Sequence, residues 1–161
     1  MKKSDWKVYV LWIILAEAVG ALAGWLTETG MEIYRQTAVE PWFAPPAVLF
    51  PVVWTILYAL MGVSAARIWL SGPSPARSRG LNLFVSQLIV SFFWSLIFFD
   101  LQAYGFALAW LILLWILVAR MILAFAQSDR LAAWLQVPYL LWLTFAAILN
   151  AAVWLINSRG I

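Results

Sequence analysis

Long apolar stretches dominate the chain, and short polar segments separate them. A helix that crosses the hydrocarbon core of a bilayer needs about 20 mainly apolar residues. Five stretches reach that length and predict transmembrane helices at about residues 6–26, 46–70, 81–99, 105–126 and 131–156. The length suits one domain. The pattern therefore predicts an all-α integral membrane protein, a five-helix bundle formed by a single membrane domain over residues 1–161.

The connections between these helices differ in length. Residues 71–75, 100–105 and 127–130 are short and contain turn-forming or polar residues. Only the first connection, residues 27–45, is long, and it carries three of the seven acidic side chains, Glu28, Glu32 and Glu40. Because long loops in compact domains are often lids or binding segments, we expect residues 27–45 to form a lid.

Composition supports the membrane interpretation and excludes several chemistries. Hydrophobic residues make up 66% of the 161 residues and charged residues 11%, against about 45–50% and about 25% in soluble domains. The chain has neither cysteine nor histidine. It therefore lacks the thiolate ligand of metal sites, the commonest ligand of zinc, and the usual base of a catalytic triad. A formal net charge of +3 is too small to indicate a nucleic-acid partner.

The distribution of basic residues predicts the orientation in the membrane. Cytoplasmic loops carry an excess of Lys and Arg. With five spans, the N-terminus and the second and fourth connections share one side, which holds Lys2, Lys3, Lys7, Arg77, Arg79 and Arg130. Arg35 and Arg159 lie on the other side. We therefore expect a cytoplasmic N-terminus and a lid on the outer side.

The first helix carries a carboxyl group and a stripe of small residues. Glu17 lies at the middle of the predicted span, where an ionised carboxylate is costly and tends to be functional. A protonated or hydrogen-bonded carboxyl within the bundle is the favoured interpretation, and a functional role remains open. Ala16, Gly20 and Gly24 allow a neighbouring helix to come close, and packing within the bundle is favoured over a dimer interface.

Aromatic and polar side chains share helix faces in three of the predicted spans, at the helical spacing of three to four residues. The members are Trp54, Tyr58 and Met61; Gln87, Ser91, Trp94 and Phe98; and Tyr139, Trp142, Ala146, Asn150 and Val153. Lone polar groups within a bilayer must find hydrogen-bond partners. These faces therefore indicate either a lined ligand cavity or aromatic core packing.

Several sequence blocks together resemble one known family. They are Pro41-Trp-Phe-Ala-Pro-Pro46, Phe50 to Gly62, Gln87 to Trp94 with Phe98-Phe99, and Val137 to Asn150. The combination is similar to the signature of the tryptophan-rich sensory protein family, the bacterial branch of the translocator protein, or peripheral benzodiazepine receptor, family. The resemblance covers essentially the whole chain.

The resemblance implies a bacterial, homodimeric five-helix bundle whose pocket is closed by the first loop and binds tetrapyrroles such as protoporphyrin IX, with no cofactor required. Other flat hydrophobic ligands and, in some members, sterols are also implied, although the C-terminal sterol pattern lacks its central tyrosine here. Carried over by position, the ligand-binding residues are Tyr34, Phe50, Trp54, Tyr58, Gln87, Ser91, Trp94, Phe106, Trp142, Phe145, Ala146 and Leu149. The family usually has Asn at the position of Ser91.

Two other functions remain as alternatives. Some bacterial members of the family degrade protoporphyrin IX in light, which the resemblance connects with Trp54 and Trp142 as catalytic residues. The sequence itself shows no conventional acid-base or nucleophilic constellation. A porphyrin or lipid transporter is the other alternative, with Glu17 as its ionisable group near the middle of the membrane.

Overall fold

A computed structural model describes residues 5–158. Within that range the secondary structure is helical, and five stretches are long and apolar enough to cross a membrane, which confirms the predicted fold class. The helices are α1 (Asp5–Leu26), α2 (Glu28–Thr37), α3 (Leu49–Leu70), α4 (Pro75–Ser95), α5 (Tyr104–Ala126), α6 (Arg130–Leu135) and α7 (Val137–Ser158), and a π-helical turn (Leu96–Asp100) continues α4. Lys2, Lys3 and Arg159, which entered the orientation argument, lie outside the described residues.

The second and third spans begin at different residues from those expected. The second starts at Leu49 rather than near residue 46, because a turn closed by the bond from Leu49 N to Pro46 O comes first. The third starts at Pro75 rather than near residue 81. Ser74 caps this helix by accepting a hydrogen bond from Arg77 N at 3.0 Å, and proline at the first helical position is already set to helical φ.

The fifth span is divided into two helices. Asp129 caps α6 by accepting hydrogen bonds from Leu131 N (2.8 Å) and Ala132 N (3.1 Å). The helix is interrupted at Gln136, and α7 begins at Val137. Because Pro138 has no backbone N–H, it fits the first turn of α7 but not the interior of one continuous helix. The proline thus marks a break between two helices.

The predicted lid segment contains a helix, α2, that the sequence pattern did not indicate. Gly30 lets α2 lie directly against the π-helical turn, since a Cβ at this position would meet the backbone of Phe99 and the carboxylate of Asp100. Glu28 in the first turn and Arg35 in the last complement the helix dipole. The lid is therefore partly a rigid element packed on the end of α4.

The small residues of α1 serve different purposes. A Cβ on Gly20 would overlap the ring of Tyr58, and one on Gly62 would overlap the backbone of Ile13. These two glycines let α1 and α3 pack closely. Gly24, by contrast, has no atom within 4 Å of an added Cβ, and its side of α1 is exposed.

Side chains of several spans form one apolar core. Met61 of α3, Phe84 of α4, Leu114 and Met121 of α5, and Leu143 of α7 are fully buried there. Large apolar side chains also cover the outer surface, among them Leu11, Ile56, Leu123 and Leu141. An exposed apolar surface of this extent suits lipid rather than water.

Candidate ligand site

A hydrogen-bonded polar group lies at the centre of the bundle. The Tyr139 hydroxyl donates to Gln87 Oε1 at 2.8 Å, and Gln87 Nε2 contacts Met61 Sδ at 3.8 Å. Gln87 is 0% exposed. One turn further along α4, Ser91 is buried beside the side chains of Tyr58 and Tyr139. Helices α3, α4 and α7 thus meet at polar groups that have partners inside the bundle, as an apolar surrounding requires.

Aromatic rings of α3 and α7 extend from this polar group. The ring centroid of Trp54 lies 5.6 Å from that of Tyr58 and 6.1 Å from that of Tyr139. Nearer the start of α3, Phe50 lies 5.9 Å from Trp142, which lies 5.5 Å from Phe145. All these distances are typical of favourable edge-to-face or tilted ring pairs. We call Phe50, Trp54, Trp142 and Phe145, all partly buried, the α3–α7 aromatic cluster.

Ala146 and Leu149 follow Trp142 at i+4 and i+7 on α7 and are both partly buried. Ala146 packs against the same core as Trp142. Ring contacts of Phe50 with Trp142 and of Trp54 with Tyr139 join α3 to α7, and seven predicted site residues come from these two helices. They are Phe50, Trp54, Tyr58, Trp142, Phe145, Ala146 and Leu149.

Trp94 belongs to a second aromatic group near the lid. Its ring lies 5.2 Å from Phe98, and its indole Nε1 donates to Asn150 Oδ1 at 3.3 Å. The amide of Asn150 also donates to Tyr104 O at 2.8 Å. Asn150 therefore joins α7 to the last turn of α4 and to the first residue of α5 through one buried side chain.

Tyr34 closes this second group from the lid. Its ring lies 5.4 Å from Phe98, 5.6 Å from Phe99 and 6.2 Å from Tyr104. Burial raises the pKa of the Tyr34 hydroxyl, and the nearby Glu40 carboxylate raises it further. Tyr34 is thus an uncharged aromatic contact between α2 and the helix ends.

Phe106 is not brought together with the other predicted residues. It is 58% exposed, and its ring contacts Trp110 at 6.0 Å. Trp110 itself donates from Nε1 to Val90 O at 2.8 Å, which ties α5 to α4. Phe106 therefore lies on the outer side of that helix pair.

The rings of the aromatic cluster pack on one another, with Phe50 5.9 Å from Trp142 and Trp142 5.5 Å from Phe145. Two grooves on the described surface are lined by other residues, one by α5, α6 and the start of α7 and the other by α1 and Trp69 of α3. Neither groove includes a residue of the aromatic cluster.

Three residues outside the predicted ligand-binding set hold this region together. Tyr139 and Asn150, which the sequence places on a shared face of α7, each make a side-chain hydrogen bond to α4. Asn157 was missed. It follows Asn150 by two helical turns, and this spacing of lone amides on an apolar helix is the signal that could have indicated it.

Glu17 and the acidic lid residues do not form a conventional reactive centre. Glu17 is half-buried on α1, and within residues 5–158 it makes no ion pair. The same range contains no cluster of three or more Asp, Glu, His or Cys side chains able to hold a metal ion. The candidate site is thus defined by aromatic surface and neutral polar groups.

These features define a class: a five-span helical membrane protein with an aromatic, hydrogen-bonded interior and a short helix, α2, in its long first connection. The chain matches the TspO/MBR family over residues 12–155, and it belongs to that family. It is 38% identical over 148 residues to the tryptophan-rich protein TspO of Chlorobaculum tepidum, covering 91% of this chain and 94% of that protein. It is 36% identical over 147 residues to the translocator protein of Sus scrofa, covering 87% and 86%. The resemblance found from the sequence blocks is therefore confirmed.

Proposed function

We propose that the protein is a membrane receptor that binds a tetrapyrrole, such as protoporphyrin IX, between α3 and α7. The observation that supports this most is the α3–α7 aromatic cluster, in which four partly buried rings line one helix interface beside the Gln87–Tyr139 hydrogen bond. A flat macrocycle gains stacking energy on such rings and needs few polar contacts to fix its orientation. Helix α2 and the rest of the lid would cover it from the outer side.

The sequence contains neither His nor Cys, which favours a metal-free porphyrin over haem as the ligand. These two residues supply the commonest axial ligands of haem iron. A metal-free porphyrin needs no axial ligand and is held by stacking and hydrogen bonds alone. Gln87 and Ser91 are the neutral side chains closest to that role, and Ser91 offers a shorter donor than the Asn usual in the family.

The direct test is a titration of the detergent-purified protein with protoporphyrin IX in the dark, followed by tryptophan quenching and porphyrin absorbance. Trp142→Leu removes a ring of the cluster and should weaken binding about tenfold, because burial and stacking of one aromatic ring contribute about 1–3 kcal/mol. Trp134→Leu is the matched control. Trp134 lies at the start of the same span but is 69% exposed and outside the cluster. Equal affinity in wild type and Trp142→Leu would contradict the proposed site.

Light-driven degradation of the porphyrin is a second candidate function. The relevant observation is the continuous series of rings from Trp54 to Tyr58 and Tyr139, with centroid distances of 5.6 and 6.1 Å. Such a group would place oxidisable rings beside the photo-excited porphyrin, and dioxygen would be the oxidant that is reduced as the macrocycle is oxidised. Loss of porphyrin absorbance that requires both light and oxygen, and that stops in Trp54→Phe without loss of binding, would establish this activity. Unchanged absorbance under light would exclude it.

The orientation and the oligomeric state belong to the same proposal. One end of the bundle is rich in arginine, which supports a cytoplasmic N-terminus; the residues are Arg67, Arg77, Arg120 and Arg130.

The exposed side of α1 around Gly24 is a suitable face for a homodimer. Labelling of single cysteines introduced at the two ends in intact cells would test orientation, and cross-linking through position 24 would test the dimer.

A further inference from the structure

A groove on the bundle surface lies between the end of α5 and the start of the fifth span. It encloses about 380 Å³ and is lined by Ile122, Ala126, Arg130, Ala133, Trp134 and Val137. Ala126 and Arg130 lie where the two helices emerge from the bundle. Ile122 and Val137 lie about one to two turns further into it, at a rise of about 1.5 Å per residue. The groove thus has one cationic end and an apolar remainder.

The charge at this end is not neutralised by the protein. The adjacent carboxylate, Asp129, is 2.7 Å from the guanidinium of Arg67 and also accepts two backbone bonds as the cap of α6. Arg130 is exposed and has no ion-pair partner among residues 5–158. The groove therefore presents one positive charge for which the described residues supply no counterion.

Trp134 indicates the level at which the lipid headgroups meet the groove. Its side chain is 69% exposed at the side of the groove, one turn along α6 from Arg130. Exposed tryptophans of membrane proteins concentrate at the level of the lipid headgroups. An arginine one turn nearer the water than such a tryptophan lies at the depth of lipid phosphates.

We infer that the α5–α6 groove is a binding site for an anionic glycerophospholipid. The headgroup phosphate would pair with Arg130, and the upper part of an acyl chain would lie on Ile122, Ala133 and Val137. Charge complementarity favours an anionic over a zwitterionic lipid, because the latter carries its own cation beside the phosphate. This site is separate from the α3–α7 aromatic cluster and does not depend on porphyrin binding.

A second groove, lined by Val8, Leu11, Trp12, Leu15 and Trp69, supports no such inference. Its lining is apolar throughout. The neighbouring cation, Arg77, already stacks on Trp69 at 4.6 Å and donates from Nε to Trp69 O at 3.1 Å. Of these two grooves of residues 5–158, the α5–α6 groove is the one that combines apolar lining with a positive charge that makes no ion pair.

The test is native mass spectrometry of the purified protein with equal amounts of dioleoyl phosphatidylglycerol and dioleoyl phosphatidylcholine. Wild-type protein should retain phosphatidylglycerol preferentially. Arg130→Gln should reduce its affinity about fivefold, as expected for one basic side chain at an anionic headgroup. Arg79→Gln is the matched control, since Arg79 is an exposed arginine at the same end of the bundle but outside the groove.

A second variant tests the apolar part of the groove. Ala126 is exposed, so Ala126→Trp fills the groove without disturbing the core. It should reduce retention of both lipids and leave protoporphyrin IX affinity unchanged. Preference for phosphatidylglycerol that survives Arg130→Gln, or falls equally in Arg79→Gln, would overturn the proposal. Equal retention of the two lipids by wild-type protein, or retention indifferent to Ala126→Trp, would overturn it as well.

Discussion

Asn157 binds both backbone polar groups of Val39. Its Oδ1 accepts from Val39 N at 2.9 Å, and its Nδ2 donates to Val39 O at 3.0 Å. One side chain in the last turn of α7 therefore holds the lid just beyond the end of α2. This amide and the aromatic contacts of Tyr34 both attach the lid to the bundle, in addition to the contact of Gly30 with the π-helical turn.

Removal of the amide should loosen the lid without unfolding the bundle. Asn157→Ala deletes both bonds to Val39, and exposed hydrogen bonds contribute about 0.5–1.5 kcal/mol each. We expect faster hydrogen exchange in residues 38–45 and faster release of protoporphyrin IX. Ser158→Ala is the control, because within residues 5–158 the Ser158 hydroxyl donates to Leu155 O of its own helix and makes no bond to the lid. Exchange in residues 38–45 that stays at the wild-type rate would show that Asn157 does not hold the lid.

The Gln87–Tyr139 bond should be a major polar contribution to stability. Tyr139→Phe leaves the buried Gln87 Oε1 without its donor, which costs about 1–3 kcal/mol of unfolding free energy. The double variant with Gln87→Leu removes both partners and should lose less than the sum of the single variants. Denaturant unfolding in detergent, followed by circular dichroism, measures these differences.

Tyr9→Phe is the control for the variants of Gln87 and Tyr139. It removes the same hydroxyl from a partly exposed tyrosine near the start of α1, and we expect a change within about 0.5 kcal/mol. If the losses of unfolding free energy in the two single variants add up to the loss in the double variant, Gln87 and Tyr139 do not interact in the folded protein.

The five membrane spans could be predicted because each is recognised from the apolar composition of about 20 consecutive residues. Contacts formed when the helices pack do not change that composition. The break at Gln136 is marked in the sequence by Pro138. The π-helical turn could not be predicted, because it depends on which backbone groups find partners once the helices have packed, such as Leu101 N with Leu96 O. Helix α2 was missed for a related reason, since its stability comes from the contact of Gly30 with the π-helical turn.

The candidate site was predictable only as faces of single helices. The spacing of Trp54 and Tyr58, and of Tyr139 and Trp142, indicates that each pair shares a face. It does not show that the two faces meet, as the 6.1 Å contact of Trp54 with Tyr139 now does. Phe106 illustrates the limit, because its position in the family pattern does not reveal that its ring lies on the outside of α5.

Gly20 and Gly24 should respond in opposite ways to the same substitution. A methyl group at Gly20 overlaps the Tyr58 ring, whereas one at Gly24 meets no neighbour within 4 Å. Gly20→Ala should therefore lower the free energy of unfolding by about 1–3 kcal/mol, as overpacked cores do. Gly24→Ala should leave it unchanged or raise it slightly, since alanine is the better helix former. Equal losses in the two variants would contradict the described packing of α1 on α3.

The lid should become less stable in strongly alkaline solution because of Tyr34. Burial and the Glu40 carboxylate raise the pKa of the Tyr34 hydroxyl above its ordinary value of 10.0. The folded lid therefore retains this proton where the open lid would release it. The resulting stabilisation is complete below pH 10.0 and is lost as the pH rises from there towards the folded pKa.

The rate of protoporphyrin IX release, measured between pH 8 and pH 11.5, tests whether ionisation of Tyr34 opens the lid. The release rate of the wild type should rise above about pH 10, while Tyr34→Phe, which has no hydroxyl to ionise, should lack that rise. Tyr9→Phe is again the control, because Tyr9 lies on α1 and outside the lid. Because the phenylalanine ring keeps the contacts with Phe98 and Phe99, the variant should match the wild type at pH 8. A rise of the same size in Tyr34→Phe would assign the alkaline opening to other groups.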